Sequence, residues 1–136
     1  DHFQHLYLSF AMVKRWALTH VFIQNFKSIS ALSFAVDEGF TILTGANGSG
    51  KSNILEAITF GLGESPRNLR VSTLDELHSG KTVVELRFKC KNDNKLTSVG
   101  SSIIDKERVY IVASKKVSKR NFELYVQNTL GFSSEK

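Results

Sequence analysis

The stretch "FTILTGANGSGKSNILEAITFGLG", residues 40–63, runs from a short apolar, β-branched segment through three closely spaced glycines into an amphipathic pattern. Residues 45–52, "GANGSGKS", satisfy G-x-x-x-x-G-K-[ST] without deviation. With glycine at about 7% of residues, a chance match in a chain this long is expected about 0.5% of the time, so the motif is read as a phosphate-binding loop. Gly45, Gly48 and Gly50 allow backbone conformations closed to residues with a Cβ, and let amide N–H groups approach phosphate oxygens. A helix starting near Lys51 adds unpaired N–H donors and its positive dipole end. Lys51 then reaches the β/γ-phosphates as a point charge, and the Ser52 hydroxyl ligates Mg²⁺. Asn47 is placed at the γ-phosphate edge, and Asn53 caps the helix or touches the α-phosphate. The candidate nucleotide-binding positions are therefore Gly45, Ala46, Asn47, Gly48, Ser49, Gly50, Lys51, Ser52 and Asn53, with ATP and Mg²⁺ as ligands and Ser52 as metal ligand.

The flanking pattern predicts an α/β unit. "LTHVFIQNF" (18–26) is rich in β-branched and aromatic residues and reads as a strand. "ALSFAV" alternates Leu32, Phe34 and Val36 against Ala31, Ser33 and Ala35, as a half-buried strand does. "DEG" (37–39) is a turn, and "FTILT" (40–44) reads as a strand covered on both faces. Ile54, Leu55, Ile58 and Leu62 recur at helical spacing, with Gly61 and Gly63 marking the stop. "ESPRNLRVST" reads as a loop; "TVVELRFKC" and "SIIDKERVYIVA" read as strand regions, with "KNDNK" a hairpin-type turn between them. "SKRNFELYVQNTLG" opens on a serine cap, spaces Phe122, Tyr125 and Leu130 along one side and ends at Gly131, so it predicts a helix. Residues 1–15 show no clean period and are taken as an extension outside the core, leaving 16–136 as the folded unit.

Composition narrows the class. A hydrophobic content of 41% and a charged content of 23% are globular values. No apolar run nears the ~18–20 residues that span a bilayer, so no membrane role is expected. Cys90 is the single cysteine, which excludes an internal disulfide, fits a reducing, intracellular compartment, and places it as a half-buried strand residue between lysines. The net charge of +5 is unevenly distributed: four Lys/Arg balance four Asp/Glu up to residue 63, and fourteen face nine thereafter. That bias suits a polyanionic partner such as DNA.

A hydrolysing enzyme of the phosphate-loop type also needs an acid at a strand end for Mg²⁺ and a group that positions water. Asp37, Glu38 and Asp105 are weak candidates for the acid, and His20 and His78 sit at no metal or triad spacing. The chain reads as half a site, binding ATP without hydrolysing it efficiently by itself.

Three segments resemble the N-terminal lobe of a structural-maintenance-of-chromosomes (SMC) ATPase head. "FIQNFKS" (22–28) is similar to that family's opening strand. "TGANGSGKSNILEAITFGLGE" (44–64) is similar to its extended Walker A segment, and "NLRVSTLDELHSG" (68–80) to the segment carrying its arginine loop, with Arg70 at the matching position. The Walker A segment is shared with RecF-like proteins and with double-strand-break-repair ATPases of the same broad type; the 68–80 segment favours SMC. The resemblance implies a P-loop NTPase of the ABC/SMC head type. It would be present as its N-terminal lobe only, an antiparallel part plus the P-loop strand and helix, with a sheet completed by a C-terminal lobe. It further implies that the chain stops just before the Q-loop, so Gln127 is not the Q-loop glutamine. By the same resemblance Lys27 and Ser28 line the adenine or phosphate side, and Arg70 is a coupling residue near nucleotide or DNA. The implied partners are the C-terminal lobe of the same protein, a second SMC head and DNA. The implied setting is chromosome-associated: the nucleus of a eukaryote, or the nucleoid and cytoplasm of a prokaryote. The implied role is chromosome segregation and condensation of the cohesin/condensin kind.

Overall fold

The computed structural model describes residues 15–36, 48–64 and 81–132, with the backbone alone for residues 48–53. Outside these residues lie the expected extension up to residue 14, the 37–39 turn, the "FTILT" strand, the "ESPRNLRVST" loop after Glu64, and the rest of the 68–80 segment.

Among the described residues, six strands form one sheet: β1 (Trp16–Phe26), β2 (Ile29–Ala35), β3 (Lys81–Cys90), β4 (Leu96–Ile104), β5 (Glu107–Val112) and β6 (Lys115–Val117). Their order is β2-β1-β3-β4-β5-β6, and every described pairing is antiparallel. Helix α1 (Gly48–Gly61) falls in the chain between β2 and β3. Helix α2 (Lys119–Leu124) follows β6 and runs directly into a wide π turn over Tyr125–Thr129.

Register aligns one apolar face across the sheet. Val21 stands opposite Leu86, Leu86 opposite Val99, and Val99 opposite Val112. Ile23 likewise stands opposite Val84. Val84, Leu86 and Phe88 are wholly buried, whereas Arg87 and Lys89 between them are exposed, as the two-residue period of a strand requires. On the other face the Arg87 guanidinium lies 4.5 Å from the Phe22 ring centroid. β2 follows the expected alternation, with Leu32 and Phe34 half-buried and Ala31, Ser33 and Ala35 exposed.

Several expectations are corrected. The "SIIDKERVYIVA" region is two strands, because the chain reverses at Asp105 and Lys106, whose φ angles are +52° and +68°. Consecutive left-handed residues match the right-handed twist of a two-residue hairpin. Ala113 and Ser114 repeat the device at +50° and +69°, which creates the three-residue strand β6. Cys90 is buried rather than half-buried and is a free thiol. Helix α1 begins at Gly48, three residues before the expected start near Lys51. Nor is it amphipathic along its second half: every residue from Leu55 to Leu62 is buried, Glu56 and Thr59 included.

The predicted stop signals hold. Gly63 has φ +102°, its N–H donates to the Phe60 carbonyl at 3.0 Å, and the Glu64 N–H donates to the Thr59 carbonyl at 3.0 Å. This pair of bonds is a Schellman cap, which satisfies carbonyls that the helix end would otherwise orphan. Ser118 caps α2 by accepting from the Asn121 N–H at 3.1 Å. The π turn is closed by the Leu130 N–H donating to the Tyr125 carbonyl five residues back, and Gly131 ends it at φ +74°.

Candidate functional site

The expected site centres on the start of α1, and the fold fixes that helix from three sides. Against the sheet, Gly61 lets the helix pack closely on β3: a Cβ there would meet Val84 Cγ1 at 2.8 Å and Leu86 Cδ1 at 3.1 Å. Phe60, wholly buried, packs its ring 5.4 Å from that of Phe26 at the end of β1.

At its C-terminal end α1 is held by Arg108 of β5. The Arg108 Nη2 donates to the carbonyl oxygens of Phe60 at 3.1 Å and Glu64 at 2.9 Å, and its Nε donates to Ser101 Oγ at 2.6 Å. The guanidinium also lies 4.1 Å from the Phe60 ring centroid and 5.2 Å from that of Tyr110. No basic residue occupies the last turn of α1, so the cation that complements the negative end of the helix dipole arrives from a distant strand. Burial pushes Arg108 below the usual arginine value, while Tyr110 and Glu64 act to raise it; the group stays a cation at physiological pH.

The third hold is ionic. The Lys27 ammonium, in the turn between β1 and β2, pairs with the Glu56 carboxylate on α1. Glu56 is 2% exposed and Lys27 19% exposed in their side chains. The turn is conformationally constrained: Asn25 and Lys27 both have φ +53°, a region that non-glycine residues seldom occupy. Asn25 Nδ2 donates to the Lys81 carbonyl at 3.0 Å, and Thr82 Oγ1 donates to the Asn25 carbonyl at 2.8 Å. Between the two left-handed residues, Phe26 is wholly buried.

Of the sequence-predicted site residues, Lys27 and Ser28 lie in this turn, one layer from α1. Gly48, Ser49, Gly50, Lys51, Ser52 and Asn53 form the first turns of α1. Their side chains, together with Gly45, Ala46, Asn47 and Arg70, lie outside the described residues. The first turn of α1 carries no acidic residue, so no carboxylate there competes with an anion for the positive end of the helix dipole. Of the candidate acids, Asp105 heads the β4–β5 turn, exposed. Asp37 and Glu38 lie outside the described residues.

Sequence reasoning missed Glu56 and Arg108. The available signals were a lone acid inside the apolar "NILEAITF" and a lone cation inside "ERVYIV". Exposed lysines gather at one end of the sheet, Lys91 and Lys95 in the β3–β4 turn and Lys115 and Lys116 in β6. Among the described residues, no helix is long and apolar enough to cross a membrane.

The family model described as the RecF/RecN/SMC N terminal domain matches residues 17–134. The chain is 39% identical to the chromosome partition protein Smc of Methanocaldococcus jannaschii over 62% of its own length, and spans 8% of that protein. Its fold is similar to the Smc head domain of Pyrococcus furiosus, solved with an extended coiled coil and bound to the C-terminal domain of ScpA. The TM-score is 0.70 at 20% identity, covering 87% of this chain and 34% of that one. It is also similar to the recombination mediator protein RecF in a structure with ATP, with a TM-score of 0.60 at 21% identity, covering 80% of this chain and 31% of RecF. The described antiparallel sheet with its buried helix is thus the N-terminal lobe of an SMC/RecF-type ATPase head, and the chain belongs to the RecF/RecN/SMC N-terminal domain family.

Proposed function

We propose that this chain is the ATP-binding half of an SMC head. The loop from Gly45 to Ser52 wraps the triphosphate, with Lys51 at the β/γ-phosphates, Ser52 on Mg²⁺, and Asn47 and Asn53 at the phosphate edges. Lys27 and Ser28 line the nucleotide from the β1–β2 turn, and Arg70 couples the site to DNA or to the second head. A C-terminal lobe supplies the acid for Mg²⁺ and the signature motif; two heads close around two ATP molecules, and hydrolysis drives chromosome organisation on DNA.

The observation that carries this reading is the position of a complete G-x-x-x-x-G-K-[ST] motif at the start of a helix that is buried, capped and ion-paired along the rest of its length. A helix anchored in this way presents its N-terminal donors at a fixed place, which lowers the reorganisation needed to bind an anion. Calorimetric titration with Mg-ATP tests it. Lys51→Ala is expected to weaken binding at least tenfold, since a charge-assisted phosphate contact contributes ~1.5–3 kcal/mol. Unchanged affinity rejects the site. Mixing the chain with its C-terminal lobe is expected to produce ATP turnover that DNA stimulates.

A second reading, the head of a RecF-like repair ATPase, is favoured by the similarity to RecF. A long heptad array with a glycine-rich hinge in the full-length protein favours SMC over the related repair ATPases, whether RecF-like or of the double-strand-break-repair type.

A further inference from the structure

We infer that Glu56 is a positioning residue for nucleotide binding, acting through its grip on Lys27; the inference rests on the proposed ATP site at the start of α1. At 2% exposure Glu56 is buried in the core, where an acid is rarely found unless paired. An apolar side chain of similar volume would serve stability there as well or better, because desolvating an ion pair consumes most of its Coulombic gain. What an apolar residue would not do is select one partner atom on another element. Glu56 joins α1 to the β1–β2 turn, 29 residues away in sequence.

Placement makes the pair relevant to the site. Residue 56 follows residue 52 by one helical turn on the same side of α1, so the pair stands one turn along the helix from the proposed ATP site. The turn holding Lys27 is strained at Asn25 and Lys27 and persists because bonds to Lys81 and Thr82, and the burial of Phe26, over-determine it. The ion pair joins that turn to the helix by a charged contact, beside the apolar contact of the Phe26 and Phe60 rings. With the carboxylate neutralised, the turn and the helix start no longer hold one fixed spacing, and the triphosphate meets a looser cradle.

The test is ATP titration of the full-length protein carrying Glu56→Gln, Lys27→Met and both changes, at a temperature well below each variant's melting point. Expected are a roughly tenfold weaker Kd for Glu56→Gln at unchanged stoichiometry, and a double variant no weaker than the worse single one. A merely structural role would lower the melting temperature and the binding-competent fraction but leave Kd at the wild-type value, and that outcome overturns the inference. If Glu56→Gln does not fold, Glu56→Asp, which keeps the charge with shorter reach, carries the test: intermediate affinity supports the inference and wild-type affinity refutes it. Lys51→Ala separates the two failures. If it leaves ATP binding intact, the site itself is wrong; if it abolishes binding while Glu56→Gln keeps wild-type Kd, only the positioning role fails.

Discussion

Arg108 Nη2 donates to the Phe60 carbonyl at 3.1 Å while its guanidinium stacks on the Phe60 ring, 4.1 Å from the centroid. One side chain thus engages the backbone and the ring of the same residue, 48 positions earlier in the chain. A planar fork of N–H donors suits this arrangement, and a lysine ammonium does not. Arg108→Ala is expected to destabilise the fold by about 2–4 kcal/mol, from lost charge-assisted bonds and a partly desolvated cation–π contact. Arg108→Lys should recover less than half of that in chemical denaturation.

Gly61 sets helix propensity against packing. Alanine would improve the helix by about 1 kcal/mol in isolation. Here its methyl would press on Val84 Cγ1 at 2.8 Å inside a close-packed core, and overpacking of this kind costs ~1–3 kcal/mol. Packing wins, so Gly61→Ala should lower the melting temperature. Gly63→Ala should lower it further, because a contact of 2.8 Å to Phe122 Cε2 is added to a φ of +102°.

The β4–β5 turn offers the opposite result. Asp105 and Lys106 occupy left-handed conformations that asparagine and glycine adopt more readily. The double change Asp105→Asn, Lys106→Gly should stabilise the chain by about 0.5–1 kcal/mol, read from thermal melts. A loss of stability would mean that these two side chains make contacts that outweigh the turn preference.

Cys90, at 2% exposure, should resist thiol reagents in the folded state and react at the rate of local opening. Adding denaturant below the unfolding midpoint should accelerate labelling; rapid labelling in native buffer would contradict the burial.

The exposed lysines of the β3–β4 turn and β6 yield an electrostatic prediction. Duplex DNA binding by the full-length protein should weaken with salt at a slope of about −0.9 per phosphate neutralised. Replacing Lys91 and Lys95 together with alanine should reduce that slope by up to about 2. A slope that does not change places the DNA elsewhere.

Where the residues involved are near neighbours in sequence, the reading succeeded. Ser118 and Gly131 mark the ends of one helical segment, Gly63 marks the stop of α1, and Leu32 and Phe34 reveal the buried side of β2. The Asp105–Lys106 reversal escaped because neither residue is a glycine, and the π turn escaped because its bonding differs from an α-helix by one residue of register.

The amino-acid order by itself determined the G-x-x-x-x-G-K-[ST] pattern, the inward side of β2 and the helix ends, because each depends on residue identities, dihedral preferences and periodicities that operate over a few residues. Only the tertiary structure decided that α1 is enclosed rather than half-exposed, that Glu56 meets Lys27, and that Arg108 closes the far end of the helix. Those contacts join residues 29 and 48 positions apart. Their partners are chosen by sheet register and packing, which no local window of sequence contains.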